Sequence, residues 1–188
     1  MGDFERASFS DRLFTREELS GRTWEECEFH RCSLQGIKHG RGQFVGCTFT
    51  GCDLSNLDVA GIQFSDTAFR GCKMLGIRWH EAPPLLFSPR FEECNLSFCD
   101  FYGMKLRKLE LRRCRLHGAI FEEADLTGAI FCESDLKDAL FRHTQLAKAD
   151  FTDARNYSID PLANKIAGAR FRFPEAASLL TALGVRVV

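Results

Sequence analysis

Large apolar residues recur every five positions along this chain. Between Ala119 and Asp153 the beat is almost free of noise. Phe121, Leu126, Phe131, Leu136, Phe141, Leu146 and Phe151 occupy its centre, called i below, and Ala119, Ala124, Ala129, Ser134, Ala139, Thr144 and Ala149 stand at i−2. An amphipathic helix repeats its apolar face about every three to four residues and a strand about every two, so a sustained five-residue period describes a coiled, repeat-built chain.

The beat starts at Phe9, is faint through Phe14, Leu19 and Trp24, and runs clearly from Phe29 through Leu34, His39, Phe44, Phe49, Leu54, Val59, Phe64, Phe69, Met74 and Trp79. His39 is the one polar centre, expected as a satisfied interior histidine. HEAPPLLFSPRF then inserts two residues, and its prolines bar regular backbone pairing. The beat resumes at Phe91 and ends at Asn156, Pro161, Ile166 and Phe171. Positions twenty apart resemble each other more than positions five apart: Phe29, Phe49, Phe69, Phe91, Leu111, Phe131, Phe151 and Phe171 form one column, and Cys32, Cys52, Cys72, Cys94, Cys114, Ser134 and Ala154 another. Four units therefore close one coil of an all-β, square-sectioned β-helix, with i and i−2 inward and i−1, i+1 and i+2 outward. Roughly eight coils at about 4.8 Å give a rod about 38 Å long. The chain reads as one domain: an irregular N-terminal coil over 1–23, the β-helix over 24–173 with a break near 80–90, and a C-terminal helix and strand over 174–188.

Composition narrows the function. The 18 Phe against 2 Trp and 2 Tyr fit one interior slot filled repeatedly, and the net charge of −1 gives no basic excess for nucleic acid. Eight of the nine cysteines fall at i−2 as small buried residues, with Cys132 at i+1 the most exposed, so free thiols are expected rather than disulfides or metal ligands. Neither an apolar leader nor a membrane-length apolar run is present, which points to the cytoplasm. No nucleophile, histidine-pair or phosphate-loop motif appears. The expectation is a protein that is not an enzyme, with no cofactor, metal, small-molecule substrate or direct contact with nucleic acid or membrane.

Charge is arranged in blocks. Six basic residues lie between Lys105 and Arg115. Glu122, Glu123, Asp125, Glu133, Asp135, Asp138, Asp150 and Asp153 follow, against Lys137, Arg142 and Lys148. These acids are either a partner-binding surface or a solvated set of cross-coil ion pairs, with Arg115, Asp135 and Arg155 in one column and Glu93, Arg113 and Glu133 in another. The break offers a second candidate contact at Pro83, Pro84, Leu85, Leu86 and Phe87. The tail offers a third: a helix begun at Pro174 and stopped by Gly184, then a strand of Val185, Val187 and Val188. Phe173, Leu179, Leu180, Leu183, Val185 and Val187 are the expected dimer interface.

The units Ala124-Asp125-Leu126, Ser134-Asp135-Leu136, Ala149-Asp150-Phe151 and Cys52-Asp53-Leu54 resemble the pentapeptide-repeat family over about 160 residues. That resemblance implies a right-handed quadrilateral β-helix. The compact size, the single interruption and the ending SIDPLANKIAGARFRFPEAASLLTALGV are similar to the gyrase-protecting branch, which includes the Qnr quinolone-resistance proteins and the microcin-immunity protein. The branch implies a homodimer joined through its C-terminal tails that mimics DNA, binds DNA gyrase or topoisomerase IV and shields the enzyme from a quinolone or peptide poison. The chain departs from the long-looped Qnr members in lacking two large projecting loops, and from strongly acidic DNA mimics in its near-zero charge. A structural or scaffolding protein with an unrelated protein partner is the alternative.

Overall fold

The computed structural model describes residues 3–186. In chain order the strands among them are β1 (Phe4–Glu5), β2 (Ser8–Ser10), β3 (Arg22–Glu25), β4 (Glu28–His30), β5 (Gly42–Val45), β6 (Thr48–Thr50), β7 (Ile62–Ser65), β8 (Ala68–Arg70), β9 (Arg90–Glu92) and β10 (Glu110–Arg112). All pair in parallel, as β1-β3-β5-β7 and as β2-β4-β6-β8-β9-β10. The register is twenty residues, with Phe29 opposite Phe49 and Trp24 opposite Phe44, except between β8 and β9, where Phe69 lies opposite Phe91. Beyond these strands the coils are joined by single bridges. One such column runs Leu13, Ser33, Asp53, Lys73, Asn95, Arg115, Asp135, Arg155, which is eight coils. The expected four-sided parallel β-helix is the fold.

The first face is centred on Phe29 and its column, the second on Leu34, Leu54, Met74, Leu96, Leu116 and Leu136, the third on Val59, Trp79, Phe101, Phe121 and Phe141, and the fourth on Trp24, Phe44, Phe64, Leu106, Leu126 and Leu146. All these centres are buried except Phe171, half-buried at the end of the first column. Like stacks on like because equal rings one coil apart lie parallel: Phe29 on Phe49 at 4.4 Å, Phe101 on Phe121 at 5.1 Å and Phe131 on Phe151 at 4.8 Å between centroids. Between neighbouring faces the rings meet edge to face, as Phe44 and Phe49 do. Both geometries suit the aromatic quadrupole.

The i−2 positions do more than fill space. At many corners the chain makes a tight turn in which the next i−2 N–H closes onto the centre carbonyl, as Ala129 does to Leu126, Ala139 to Leu136 and Ala154 to Phe151. Alanine suffices there. Corners that follow the first-face strands keep i+1 extended and bend only at i+2, at φ +50° in Arg31, +62° in Gly51 and +52° in Arg113, and their centre carbonyls are bonded by a side chain of the next coil. The Cys52 thiol donates to Phe29 O at 3.3 Å, Cys72 to Phe49 O at 3.4 Å and Cys94 to Phe69 O at 3.4 Å. Ser134 does the same to Leu111 O at 2.8 Å while accepting the Cys114 N–H at 2.9 Å. On the third face Asn164 plays the same part, donating to Phe141 O at 3.1 Å and accepting the Thr144 N–H at 3.0 Å. A buried backbone group without a partner is costly, so a donor is required at these corners.

Two centres depart from the five-residue reading. His39 lies outside, with φ +53°, its N–H donating to Asp58 Oδ2 at 3.0 Å. Backbone fills its slot instead: Gly40 is buried, and a Cβ on Gly61 would stand 2.5 Å from Gly40 O. Asn156 is likewise outside, with φ +58°, its amide donating to Asp135 Oδ1 at 2.8 Å. Tyr157 and Ile159 take the interior there.

The first coil holds α1 (Arg16–Leu19), started by a capping box between Thr15 and Glu18. The Arg12 guanidinium lies 5.0 Å from the Phe14 ring and that of Arg22 lies 5.3 Å from the Phe4 ring, so cations cover aromatic faces at the open end. At the other end the helix is α2 (Ala177–Ala182), shorter than Pro174 to Leu183 because no side chain caps its start at Ala176. Gly184 stops it at φ +78°. Val185 forms no strand, and Val187 and Val188 lie outside the described residues.

Candidate protein-binding surfaces

A run of acids contiguous in sequence over more than one coil cannot share one face of such a rod. Glu133, Asp150 and Asp153 lie on the first face, Asp135 and Asp138 on the second, Glu122 and Glu123 on the third and Asp125 on the fourth. The i−1 aspartates also serve the backbone. Asp125 accepts the N–H of Thr127 at 3.1 Å and its hydroxyl at 2.7 Å, and Asp150 accepts the N–H of Thr152 at 3.0 Å. This local bonding by Asp is what holds the chain at each turn.

Half of the eight are ion-paired one coil away: Asp125 with Arg107 at 2.6 Å, Asp135 with Arg155 at 3.3 Å, Asp150 with Arg170 at 3.3 Å and Asp153 with Arg172 at 2.6 Å. Asp135 also meets His117 at 3.2 Å. Burial acts to raise the Asp135 carboxyl, but bonds from Asn156, His117 and the Lys137 N–H hold it down at about 2. Among the described residues Glu122, Glu123, Glu133 and Asp138 have no ion pair. The columns read from spacing are thus partly corrected. Arg113 meets Glu93 at 3.0 Å and also Glu92, leaving Glu133 out, and His117 rather than Arg115 reaches Asp135.

The third face carries a feature that the repeat concealed. Leu162 is 81% exposed, Tyr102 and Leu140 are exposed beside Glu122 and Glu123, and Phe98, 69% exposed, stands at i+2 of the Leu96 unit on the adjoining second face. Tyr102, Glu122, Glu123, Arg142 and His143 line a groove of about 330 Å³ there. Apolar residues at outward positions, such as Ile120 and Leu140 at i−1, were the available signal. A larger groove of about 520 Å³ runs along the first face, but Arg70, Arg90 and Arg112 in it are engaged by Glu92, Asp66 and Glu110.

At the break, Trp79–Glu81 makes one 3-10 turn and the inserted residues bulge from the fourth face. Pro83 is half-buried, Pro84, Leu85 and Leu86 are exposed, and Phe87 turns back to 5.6 Å from Trp79. The ladder is cut here on this face alone. Lys73 bridges Asn95, Arg78 bridges Asp100 and Phe69 pairs with Phe91, whereas Lys105 is bridged only to Asp125 on the far side. In the tail, Leu179 packs on the core while Phe173, Leu180, Leu183 and Val185 are exposed.

All nine thiols are free, eight buried and Cys132 half-buried. Burial pushes Cys47, Cys99 and Cys114 up to about 12. Among the described residues no group of three or more His, Cys, Asp or Glu gathers to hold a metal, and no helix is long and apolar enough to cross a membrane.

Residues 42–121 match the family model described as Pentapeptide repeat region, and residues 119–155 match Pentapeptide repeats (8 copies). No curated protein matches the sequence. Among solved structures the chain is similar to a trypsin-treated variant of QnrB1, a plasmid-mediated fluoroquinolone resistance protein, at 22% identity and TM-score 0.45 over 100% of both chains. It is also similar to HetL, a pentapeptide repeat protein involved in heterocyst differentiation regulation from the cyanobacterium Nostoc sp. strain PCC 7120. That likeness is 16% identical with TM-score 0.39, covering 89% of this chain and 71% of the other.

Proposed function

Because the chain belongs to the pentapeptide-repeat family, a rod whose outward residues are its working surface, we propose that it binds a type II topoisomerase, DNA gyrase or topoisomerase IV, in place of duplex DNA and shields it from a poison. The choice of enzyme comes from the resemblance of the tail and repeats to the gyrase-protecting branch. The observation that carries the reading is the apolar tail at one end of the rod, where Phe173, Leu180, Leu183 and Val185 stand exposed. Two copies joined there make a rod of about 76 Å, twice the roughly 38 Å of eight coils. The unpaired Glu122, Glu123, Glu133 and Asp138 of both copies then flank its centre, as phosphates flank the axis of a duplex.

The test is gyrase supercoiling under a quinolone, with wild-type protein and with a variant carrying Glu122→Lys, Glu123→Lys, Glu133→Lys and Asp138→Lys. These four leave every described ion pair of the acidic block intact. Protection by the wild type, lost in the variant at unchanged melting temperature, is the expected result. No protection by the wild type overturns the choice of enzyme, and full protection by a folded variant overturns charge mimicry.

One observation favours the alternative, a scaffold for an unrelated protein partner. Half of the acidic block is neutralised within the rod, while the third face offers Tyr102, Leu140 and Leu162, with Phe98 on the adjoining second face, to a partner that recognises apolar side chains.

A further inference from the structure

The fourth face is divided by charge at the break. Four coils lie before the loop, centred on Phe4, Trp24, Phe44 and Phe64, and four after it, centred on Leu106, Leu126, Leu146 and Ile166. Asp3, Glu5, Glu25, Glu26 and Asp66 against Arg6 and Arg22 give the first half −3, from five acids and two bases. Lys105, Arg107, Lys108, Lys148 and Lys165 against Asp125 give the second half +4, from five bases and one acid. Arg107 is engaged by Asp125, but the four lysines have no ion pair among the described residues. Between the charges the face is low, with Gly46, Thr127, Gly128, Ala147, Ala167 and Gly168. At its midpoint stand Leu85 and Leu86, 72% and 64% exposed.

We infer that a second copy of this chain docks on this face, antiparallel, about a two-fold axis that crosses the rod at Leu85 and Leu86. Such an axis lies in the plane of the face and perpendicular to the rod. It reverses the order of the coils but keeps lateral position, so i−1 meets i−1 and i+2 meets i+2. The Phe64 coil then faces the Leu106 coil and sets Asp66 against Lys108. The Phe44 coil faces the Leu126 coil, glycine on glycine at 46 and 128. The Trp24 coil sets Glu26 against Lys148, and the Phe4 coil sets Asp3 against Lys165. Each contact occurs twice, as an isologous interface requires. Asp66 and Glu26 already hold Arg90 and Arg6, so the lysine of the second copy joins an existing pair and offsets the remaining charge of its half-face. A parallel pair would lay the acidic half on the acidic half and the basic half on the basic half, with Lys105 against Lys108, which electrostatic complementarity disfavours. Leu85 and Leu86 meet their own copies on the axis and supply the apolar centre. This interface is separate from the tail and does not depend on a topoisomerase partner.

The experiment places a cysteine on the axis, Leu85→Cys, in full-length protein with Cys132→Ser so that no other native thiol is accessible. Mild oxidation should yield a disulfide-linked dimer whose formation falls as salt rises, since the charged contacts are screened over about 8 to 10 Å. Adding Lys108→Glu, Lys148→Glu and Lys165→Glu should slow cross-linking by about tenfold or more. Adding Asp3→Lys, Glu26→Lys and Asp66→Lys to that same chain should restore it, because the pattern is then inverted but still complementary. Absence of a cross-link in the folded protein overturns the inference, as does a cross-link indifferent to the charge reversal or one that the inversion fails to restore. With the end-to-end contact removed by Leu180→Asp, light scattering should still find a dimer that the charge reversal converts to monomer, and a folded Leu180→Asp protein that is already monomeric overturns the lateral pair.

Discussion

Replacing Ser134 with alanine removes one oxygen from a wholly buried position, and the repeat itself offers alanine at most neighbouring i−2 sites. By size alone the change should be harmless. The structure gives a different answer, because Ser134 serves the extended corner between Leu111 and Cys114, donating to one at 2.8 Å and accepting from the other at 2.9 Å. In the alanine variant the Leu111 carbonyl and the Cys114 N–H are both buried without partners. Each orphaned group costs about 1 to 3 kcal/mol, and partial relaxation of the corner brings the sum to about 2 to 4 kcal/mol. For a chain of this size that is a fall of roughly 4 to 15 °C in melting temperature. Ser134→Cys keeps a weak donor and acceptor, as Cys114 and Cys94 do one and two coils earlier, and should stay within about 1 kcal/mol of wild type. Thermal and urea unfolding followed by circular dichroism measures all three proteins. Equal stability of wild type and Ser134→Ala, or equal losses in the two variants, would refute the carbonyl-bonding role.

Native protein at pH 8 should react with Ellman's reagent first at Cys132, with Cys47, Cys99 and Cys114 silent because burial holds them near 12, while denatured protein should give nine thiols; early labelling of a buried cysteine would contradict the packing. Asp135 has its carboxyl lowered from 3.8 to about 2, so its stabilisation is complete above about pH 4 to 5 and is lost as pH falls through 2. Asp135→Asn should therefore cost on the order of 2 kcal/mol at pH 6 and little near pH 2, and a cost that does not shrink on acidification would refute the ionic origin.

The architecture was legible because one physical requirement recurs at every coil: a large centre and a small i−2 residue must face inward. Positions where backbone replaces a side chain were not legible. His39 keeps the spacing of a centre, yet Gly40 and Gly61 approach so closely that no side chain fits between them. Spacing places residues without reporting which backbone path fills the slot. The same limit applies at Asn156, where the turn passes to Tyr157 and Ile159. Nor did spacing separate cysteine from alanine. Both are small, but only one satisfies the carbonyl of an extended corner, and that difference appears once turns and strands are told apart.

Surface charge was harder to read, because proximity in sequence and proximity on a four-sided rod are nearly opposites. Neighbours at i and i+5 lie on different faces, whereas neighbours at i and i+20 lie side by side. A block of acids from Glu122 to Asp153 therefore encircles the rod, and half of it meets arginines one coil away. Residues that are remote in the chain, Asp66 with Lys108 or Glu26 with Lys148, become a single pattern only when one face is followed from end to end. The break is what divides that face into matched halves. Its two inserted residues are absorbed on one side, so the other three ladders run through unbroken and keep the coils in register. An interruption that costs the core little can thus mark the midpoint of a surface, with two leucines raised at the place where an antiparallel second copy would cross.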